Sequence, residues 1–286
     1  MSEHVGAPPS YYYVPSPSYW PLLGAGALLL LAAGAVLWVN DYAGGPYAVL
    51  GGFALLVCML AGWFGRVVTE SEAGSYNKRV DASFRWGMTW FIFSEVMFFA
   101  AFFGALFYAR QISVPDLGSV NSQLLWPGFS TAWPNAGPAF RASFTPMEAM
   151  GVPAINTLLL LSSGATVTWA HWSLLAGRRR QVAWGLVLTI ALGLTFLGFQ
   201  AFEYAHAYTE LNLKLTTGIY GTTFYLLTGF HGLHVTVGAT MLIVILLRVL
   251  AGHFTAEHHF AFEGVAWYWH FVDVVWLLLF VVVYWL

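Results

Sequence analysis

Long apolar runs separated by short polar stretches dominate the chain. Seven of them reach the roughly 20 residues that a helix needs to cross a bilayer core of about 30 Å, at about 1.5 Å per residue. They are Trp20–Val39, Tyr47–Val68, Trp86–Tyr108, Pro153–Leu175, Val182–Tyr204, Tyr220–Leu247 and Val265–Leu286. The runs are continuous and do not alternate, so they fit helices better than barrel strands with one face to lipid. A helix also satisfies its own backbone groups where no water can. The pattern predicts an all-α, polytopic membrane protein with seven transmembrane helices.

The breaks between the runs predict how the chain is organised. Residues 1–19 form a tail rich in Tyr and Pro. The join Asn40–Pro46, with Gly44-Gly45-Pro46, is short enough to make residues 20–68 a tight two-helix hairpin. Residues 69–85 are polar and charged and read as a linker, leaving residues 86–286 as a five-helix bundle. Inside that bundle, loop 109–152 carries Pro115, Pro127, Pro134, Pro138 and Pro146 among Trp126, Phe129, Trp133, Phe140 and Phe144. Prolines interleaved with aromatics point to a folded interfacial loop, serving either as a lipid anchor or as a partner surface. No internal repeat is visible.

Composition narrows the class. Hydrophobic residues make up 59% of the 286 positions and charged residues 8%, against soluble norms of roughly 45–50% and about 25%. Too few polar groups exist to coat a water-soluble globule. Soluble enzymes, disordered chains and nucleic-acid binders are excluded, the last also by a net charge of -2. The one cysteine, Cys58, makes no internal disulfide and no multi-cysteine metal site. The first 19 residues contain no Lys or Arg, unlike a secretory signal, so the first apolar run is expected to persist in the mature protein. Eight of the 11 basic residues (Arg66, Lys78, Arg79, Arg85, Arg178, Arg179, Arg180 and Arg248) fall on the N-terminal side of the membrane, against Arg110, Arg141 and Lys214 on the other. The positive-inside rule then puts the N-terminus in the cytoplasm and the C-terminus outside.

Ionisable groups inside the runs are the candidate functional residues, because burying them in lipid is costly. Glu95 sits near the middle of the third run, before Phe98, Phe99, Phe102 and Phe103. A lone carboxyl there is expected to hold its proton. It is either a proton-linked or partner-facing group, or a neutral acid bonded to a neighbouring helix. His231 and His234 are three apart and share a helix face, which fits metal ligation or polar bridging between helices. His270 and Asp273 have the same spacing, as an oriented imidazole or as a buried pair that fixes register. His171, Glu203 and His206 lie near run ends and are expected to snorkel to water.

Several motifs then coincide in order: Arg85-Trp86-Gly87-Met88 leading to Ser94-Glu95, Thr168-Trp169-Ala170-His171, Gly229-Phe230-His231-Gly232-Leu233-His234-Val235, His253-Phe254-Thr255 with His258-His259-Phe260, and Ala266-Trp267-Tyr268-Trp269-His270-Phe271-Val272-Asp273-Val274-Val275-Trp276. With these the chain resembles subunit III of the haem–copper cytochrome c oxidases, over well more than half its length. The resemblance implies seven helices, with a two-helix hairpin and a five-helix bundle separated by a V-shaped lipid cleft. It implies no haem, copper or other metal in this chain and no catalytic residues. Haem and copper would reside in partner subunits I and II, a small subunit IV being an optional further partner and cytochrome c the substrate of the complex. The family binds phospholipids, stabilises the catalytic subunit and supports its proton uptake. Glu95 matches the family's buried carboxyl near the proposed dioxygen route. Trp63, Phe64 and Glu70 match the lipid-bordering end of the second helix, and Arg248 a lipid-facing arginine. Thr69 stands where some relatives are basic, and Arg66 is expected to supply that charge.

The residues agree with a redox-silent role. The His-Pro-Glu-Val-Tyr type of motif expected of subunit I is absent, and a dicopper centre of the subunit II kind needs two cysteines. Three rivals remain: subunit III of a quinol oxidase, against which the early hairpin argues, a free-standing proton or solute transporter, and a haem carrier using His231 and His234. The start of the chain and its extended outer loop point to a bacterial cytoplasmic membrane.

Overall fold

The structure is a computed structural model that describes residues 13–140 and 142–285. The first 12 residues of the tail, Arg141 and Leu286 lie outside the described residues. Seven long helices are present: α1 (Trp20–Val39), α2 (Gly45–Glu72), α3 (Lys78–Tyr108), α4 (Val152–Leu175), α5 (Arg179–Thr209), α6 (Gly218–Ala251) and α7 (Phe260–Leu279). All seven are long and apolar enough to cross a membrane. Each coincides with one predicted run, but most extend past it, because polar residues at the ends continue the helix. Only residues 73–77 separate α2 from α3, a much shorter break than the polar composition of residues 69–85 implies. Asn77 starts α3 as a cap, its Oδ1 accepting from the Arg79 and Val80 amides at 2.9 and 3.0 Å.

The chain divides into two compact units, one ending at Phe84 and one beginning at Arg85. The first is built on the α1–α2 hairpin. Its seam is made of small residues: Gly24, Ala27 and Gly34 on α1, Gly45 and Gly52 with Met59 on α2. At Gly34 a Cβ would stand 2.6 Å from the Val49 amide, and at Gly52 it would stand 2.8 Å from that of Leu31. The backbones touch because no side chain intervenes, which is how helices associate when lipid removes the hydrophobic drive between them.

In the second unit α4, α5, α6 and α7 pack in a ring, α4 against α5 and α7, α6 against α5 and α7. Trp269 and Trp276 of α7 fill its centre and are fully buried. The Trp269 indole donates to Ser163 Oγ (2.8 Å) and lies over the bare faces of Gly193 and Gly238. The Trp276 indole donates to Thr157 Oγ1 (3.0 Å) and meets Phe196 edge-on at 4.7 Å between centroids. Each polar atom of these large rings is therefore satisfied inside the bundle. α6 ends at Gly252 in the left-handed conformation (φ +90). There Arg179, at the start of α5, donates to the Val249 carbonyl (2.9 and 2.7 Å) and to that of Leu250 (2.8 Å). The guanidinium thus adds charged donors to the carbonyls of the last helical turn, where Val249 also accepts from the Gly252 amide at 3.1 Å.

The connection from α3 to α4 is folded. It opens with a π-turn (Ala109–Ser113) and two short helices (Val114–Leu117, Val120–Gln123). It is then pinned to the bundle by backbone bonds from Thr145 to Leu211 (3.0 Å) and from Ile219 to Ala136 (3.2 Å), and by Phe144 stacked on Tyr220.

Candidate functional site

Glu95 and His234, read separately in the sequence, come together. Glu95 projects from α3 and His234 from α6, and Glu95 Oε2 is 2.8 Å from His234 Nε2. His234 Nδ1 lies 2.6 Å from the Phe230 carbonyl one turn back, which can only accept, so Nδ1 carries the hydrogen. In a neutral imidazole Nε2 is then a lone pair. A short contact with Glu95 therefore requires one proton between them, either on the acid or on an imidazolium paired with a carboxylate. In both arrangements the pair has no net charge, which suits its setting. Phe98, Phe99, Phe230, Tyr268 and Phe271 collar it, with Phe99 at 5.1 Å from the imidazole and Tyr268 stacked at 6.3 Å. The Tyr268 hydroxyl donates to the His234 carbonyl at 3.3 Å. Glu95 is thus not a lone carboxyl. The motif spacing could not reveal its partner, because 139 residues separate the two.

His231, three residues away, serves a different neighbour. It is fully buried, donates from Nε2 to the Val272 carbonyl of α7 (3.2 Å), and packs against Phe196 and Trp276. The two histidines of the Gly229–Val235 motif therefore tie α6 to two other helices and do not converge on one point. His270 and Asp273 lie on α7 with Nδ1 and Oδ2 3.8 Å apart, and His270 Nε2 is 3.2 Å from Thr168 Oγ1 of α4. Among the described residues, no group of three or more His, Cys, Asp or Glu is placed to hold a metal ion.

The residues expected to meet lipid lie in both units. Trp63 and Phe64 are exposed on α2. Arg66 donates to Glu70 (3.1 Å) one turn on and to Ser16 of the tail. Glu70 also accepts from Tyr13 (2.8 Å) and Tyr76 (2.9 Å), so its carboxylate is consumed within the chain. Its bond raises the Tyr13 phenol above the ordinary tyrosine value. Burial first, then the same carboxylate, raises Tyr76. These phenols were not singled out from sequence, since Tyr13 lies 57 residues before Glu70 and no local spacing links the two. In the second unit the Arg248 guanidinium lies over the Phe254 ring at 4.5 Å.

One further placement departs from the sequence reading. Glu203 does not snorkel. It is 2% exposed and its Oε1 accepts from the Tyr284 hydroxyl at 2.6 Å. α5 continues beyond the apolar run to Thr209, so Glu203 lies within the helix, where Tyr284 of the turn Phe280–Trp285 meets its carboxyl. His171 is half-buried between His259 and Phe262, and His206 is partly exposed beside Glu210 at 3.3 Å. At the same end as His171, Arg85 pairs with Glu263. That pair was not singled out from sequence, though opposite charges at the start of two apolar runs are its signal.

The arrangement can hold a proton at Glu95–His234, brace helices through polar contacts and present aromatic and basic groups to lipid. Comparison with known proteins agrees with the motifs. Residues 10–286 match the family model for cytochrome c oxidase subunit III. Relatives named cytochrome c oxidase subunit 3 from Dugong dugon and Cyprinus carpio are each 43% identical over 275 and 274 residues, 96% of both chains. That from Tachyglossus aculeatus aculeatus is 42% identical over 274 residues, with the same coverage. With seven helices, the ordered motifs and a match along nearly the whole chain, this protein belongs to the cytochrome c oxidase subunit III family, a component of an oxidoreductase complex.

Proposed function

We propose that the chain is the accessory third subunit of a proton-pumping cytochrome c oxidase in a bacterial cytoplasmic membrane. It carries no redox centre, binds phospholipids, stabilises the catalytic subunit and supports its proton uptake. The observation that carries this reading is the commitment of the intramembrane histidines. His231 is bonded to Val272, His234 to Phe230 and Glu95, and His270 to Thr168. Through these bonds each of the three histidines reaches a second helix. The name of the 43%-identical relatives supports cytochrome c over a quinol as electron donor, and the α1–α2 hairpin supports it too. Partners are the haem- and copper-bearing subunits I and II, with a small fourth subunit where one exists.

Phospholipid binding is assigned to Trp63, Phe64 and Arg66, with Glu70 holding the Arg66 fork in place, and separately to Arg248. Arg66 keeps 44% of its side chain exposed beside two exposed aromatic rings, a combination suited to a phosphate above acyl chains. The distribution of basic residues supports a cytoplasmic N-terminus and a periplasmic C-terminus.

The experiment is to remove the chain from the purified oxidase. The expected complex retains its haem and copper spectra and oxidises cytochrome c, but takes up protons more slowly and inactivates sooner during turnover. Unchanged proton uptake and lifetime would contradict the supporting role, and oxidation of quinol in place of cytochrome c would contradict the donor.

A further inference from the structure

Where α5 finishes and α4 begins, the interior of the second unit holds more hydrogen-bonding groups than its own side chains satisfy. Four residues are involved: Asn156 of α4, Gln200 and Glu203 of α5, and Tyr284 of the last turn, Phe280–Trp285. All four are buried, Asn156 completely. Gln200 and Glu203 are three apart and share a helix face. The antiparallel seam between α4 and α5 sets Ala170 against Gly185 and Thr166 against Thr189. Ten residues along the same seam, Asn156 comes level with Phe199 and Gln200. α4 also packs on the last turn, so the polar groups gather where three elements meet.

Their bonding is incomplete. The Tyr284 hydroxyl donates to Glu203 Oε1 at 2.6 Å. Glu203 Oε2, Asn156 Nδ2 and Oδ1, and Gln200 Nε2 and Oε1 are buried without a hydrogen-bond partner among the described residues. The Gln200 amide faces the Glu203 carboxyl and the Tyr284 hydroxyl, but not in the geometry of a hydrogen bond. Neighbouring hydroxyls are already engaged. Thr157 accepts from the Trp276 indole, and Tyr204 is bonded to Thr228. Acyl chains do not reach residues so deeply enclosed, and would offer no hydrogen bond if they did.

Buried polar groups in native interiors pair with protein or with ordered water. Here the protein's partners are spent, and the groups left over include both donors and acceptors. We propose that this end of the second unit encloses ordered water, which bonds the Asn156 amide, the Gln200 amide and Glu203 Oε2 and so joins α4 to α5 beneath the last turn. Water accepts from the amide N–H groups and donates to the amide oxygens, which supplies the 2–4 partners that a buried water needs. It serves Glu203 in either protonation state, because it donates to a carboxylate and accepts from a carboxylic acid. Glu203 then has Tyr284 on one oxygen and water on the other. The site lies inside this chain and stands whatever complex the chain joins.

The test is electron cryomicroscopy of the complete complex at a resolution that shows ordered water. Density is expected within about 2.7–3.2 Å of the Asn156 amide and of Glu203 Oε2. Side chains of Asn156, Gln200 and Glu203 bonded directly to one another, with no density between them, would overturn the proposal. So would a peak held by several oxygens at about 2.3–2.6 Å, which is the coordination of a cation such as calcium. In parallel, Asn156→Leu keeps the bulk of the side chain and removes both ends of the amide. It is expected to lose the density beside α4 and to lower the thermal midpoint by about 2–4 °C, the shift for one buried hydrogen bond in a chain of this size. An unchanged or raised midpoint would mean that the amide binds nothing and would overturn the proposal. Should the variant fail to assemble, the map of the unmodified complex decides.

Discussion

A carboxyl in the middle of a membrane helix persists when another group shares its proton, and His234 does this for Glu95. The Phe230 carbonyl fixes the imidazole hydrogen on Nδ1, so the pair needs one proton at the 2.8 Å contact. Glu95→Gln supplies an amide N–H to the same Nε2 and is expected to leave assembly and thermal stability nearly unchanged. Glu95→Ala leaves Nε2 without its partner and is expected to cost about 1–3 kcal/mol, read from thermal unfolding of the purified complex. Equal behaviour of the two variants would mean that the contact does not hold the helices. The Glu70 cluster gives a pH signature. The Tyr13 and Tyr76 phenols are raised above their ordinary value, so the folded state keeps its protons where the unfolded chain begins to lose them. The stabilisation is complete below about pH 10 and falls as pH rises beyond it. Tyr76→Phe is expected to flatten that fall, followed as alkaline unfolding by circular dichroism. An unchanged alkaline profile would remove Tyr76 from the network.

At the scale of elements, close packing is set by what is missing from side chains. Gly34→Ala places a Cβ 2.6 Å from the Val49 amide, so α1 and α2 must separate. The expected cost is about 1–3 kcal/mol, the range for overpacked cores, whereas Gly26→Ala, with nothing within 4 Å, is expected to be neutral in the same unfolding assay. Arg179→Ala removes three donor contacts to the end of α6 and is expected to cost about 1.5–3 kcal/mol, with faster amide exchange confined to the last turn. The seven helices were legible because each run is apolar over the thickness of a membrane, and that signal is local. Their true ends were not, since Lys78, Arg79 and Glu72 are charged and yet lie inside helices. Glu95, His231, His270 and Asp273 were legible as polar residues at depth. Their partners were not, because Glu95 meets His234 and Val272 meets His231 across 139 and 41 residues of sequence. The snorkelling expected of Glu203 failed for the same reason: depth along a helix says nothing of what packs over its end.

Across the whole molecule the polar groups at depth brace helices, and the proposed function leaves redox chemistry to partner subunits. The Glu95–His234 pair, the His231 and His270 bonds and the indole bonds of Trp269 and Trp276 all join one helix to another. Trp269→Ala, at a fully buried position, is therefore expected to cost about 3–5 kcal/mol and to prevent assembly. It should do so without altering the haem spectrum of any complex that still forms, and a shifted haem band would point to a direct role in the redox site. The most direct measurement of the central claim is metal and subunit analysis of the tagged chain purified from native membranes, before and after its separation from co-eluting proteins. The expected result is haem and copper in the complex, carried by other subunits, and neither metal on the separated chain. Stoichiometric iron or copper on the separated chain, or its purification with no haem-bearing partner, would contradict it.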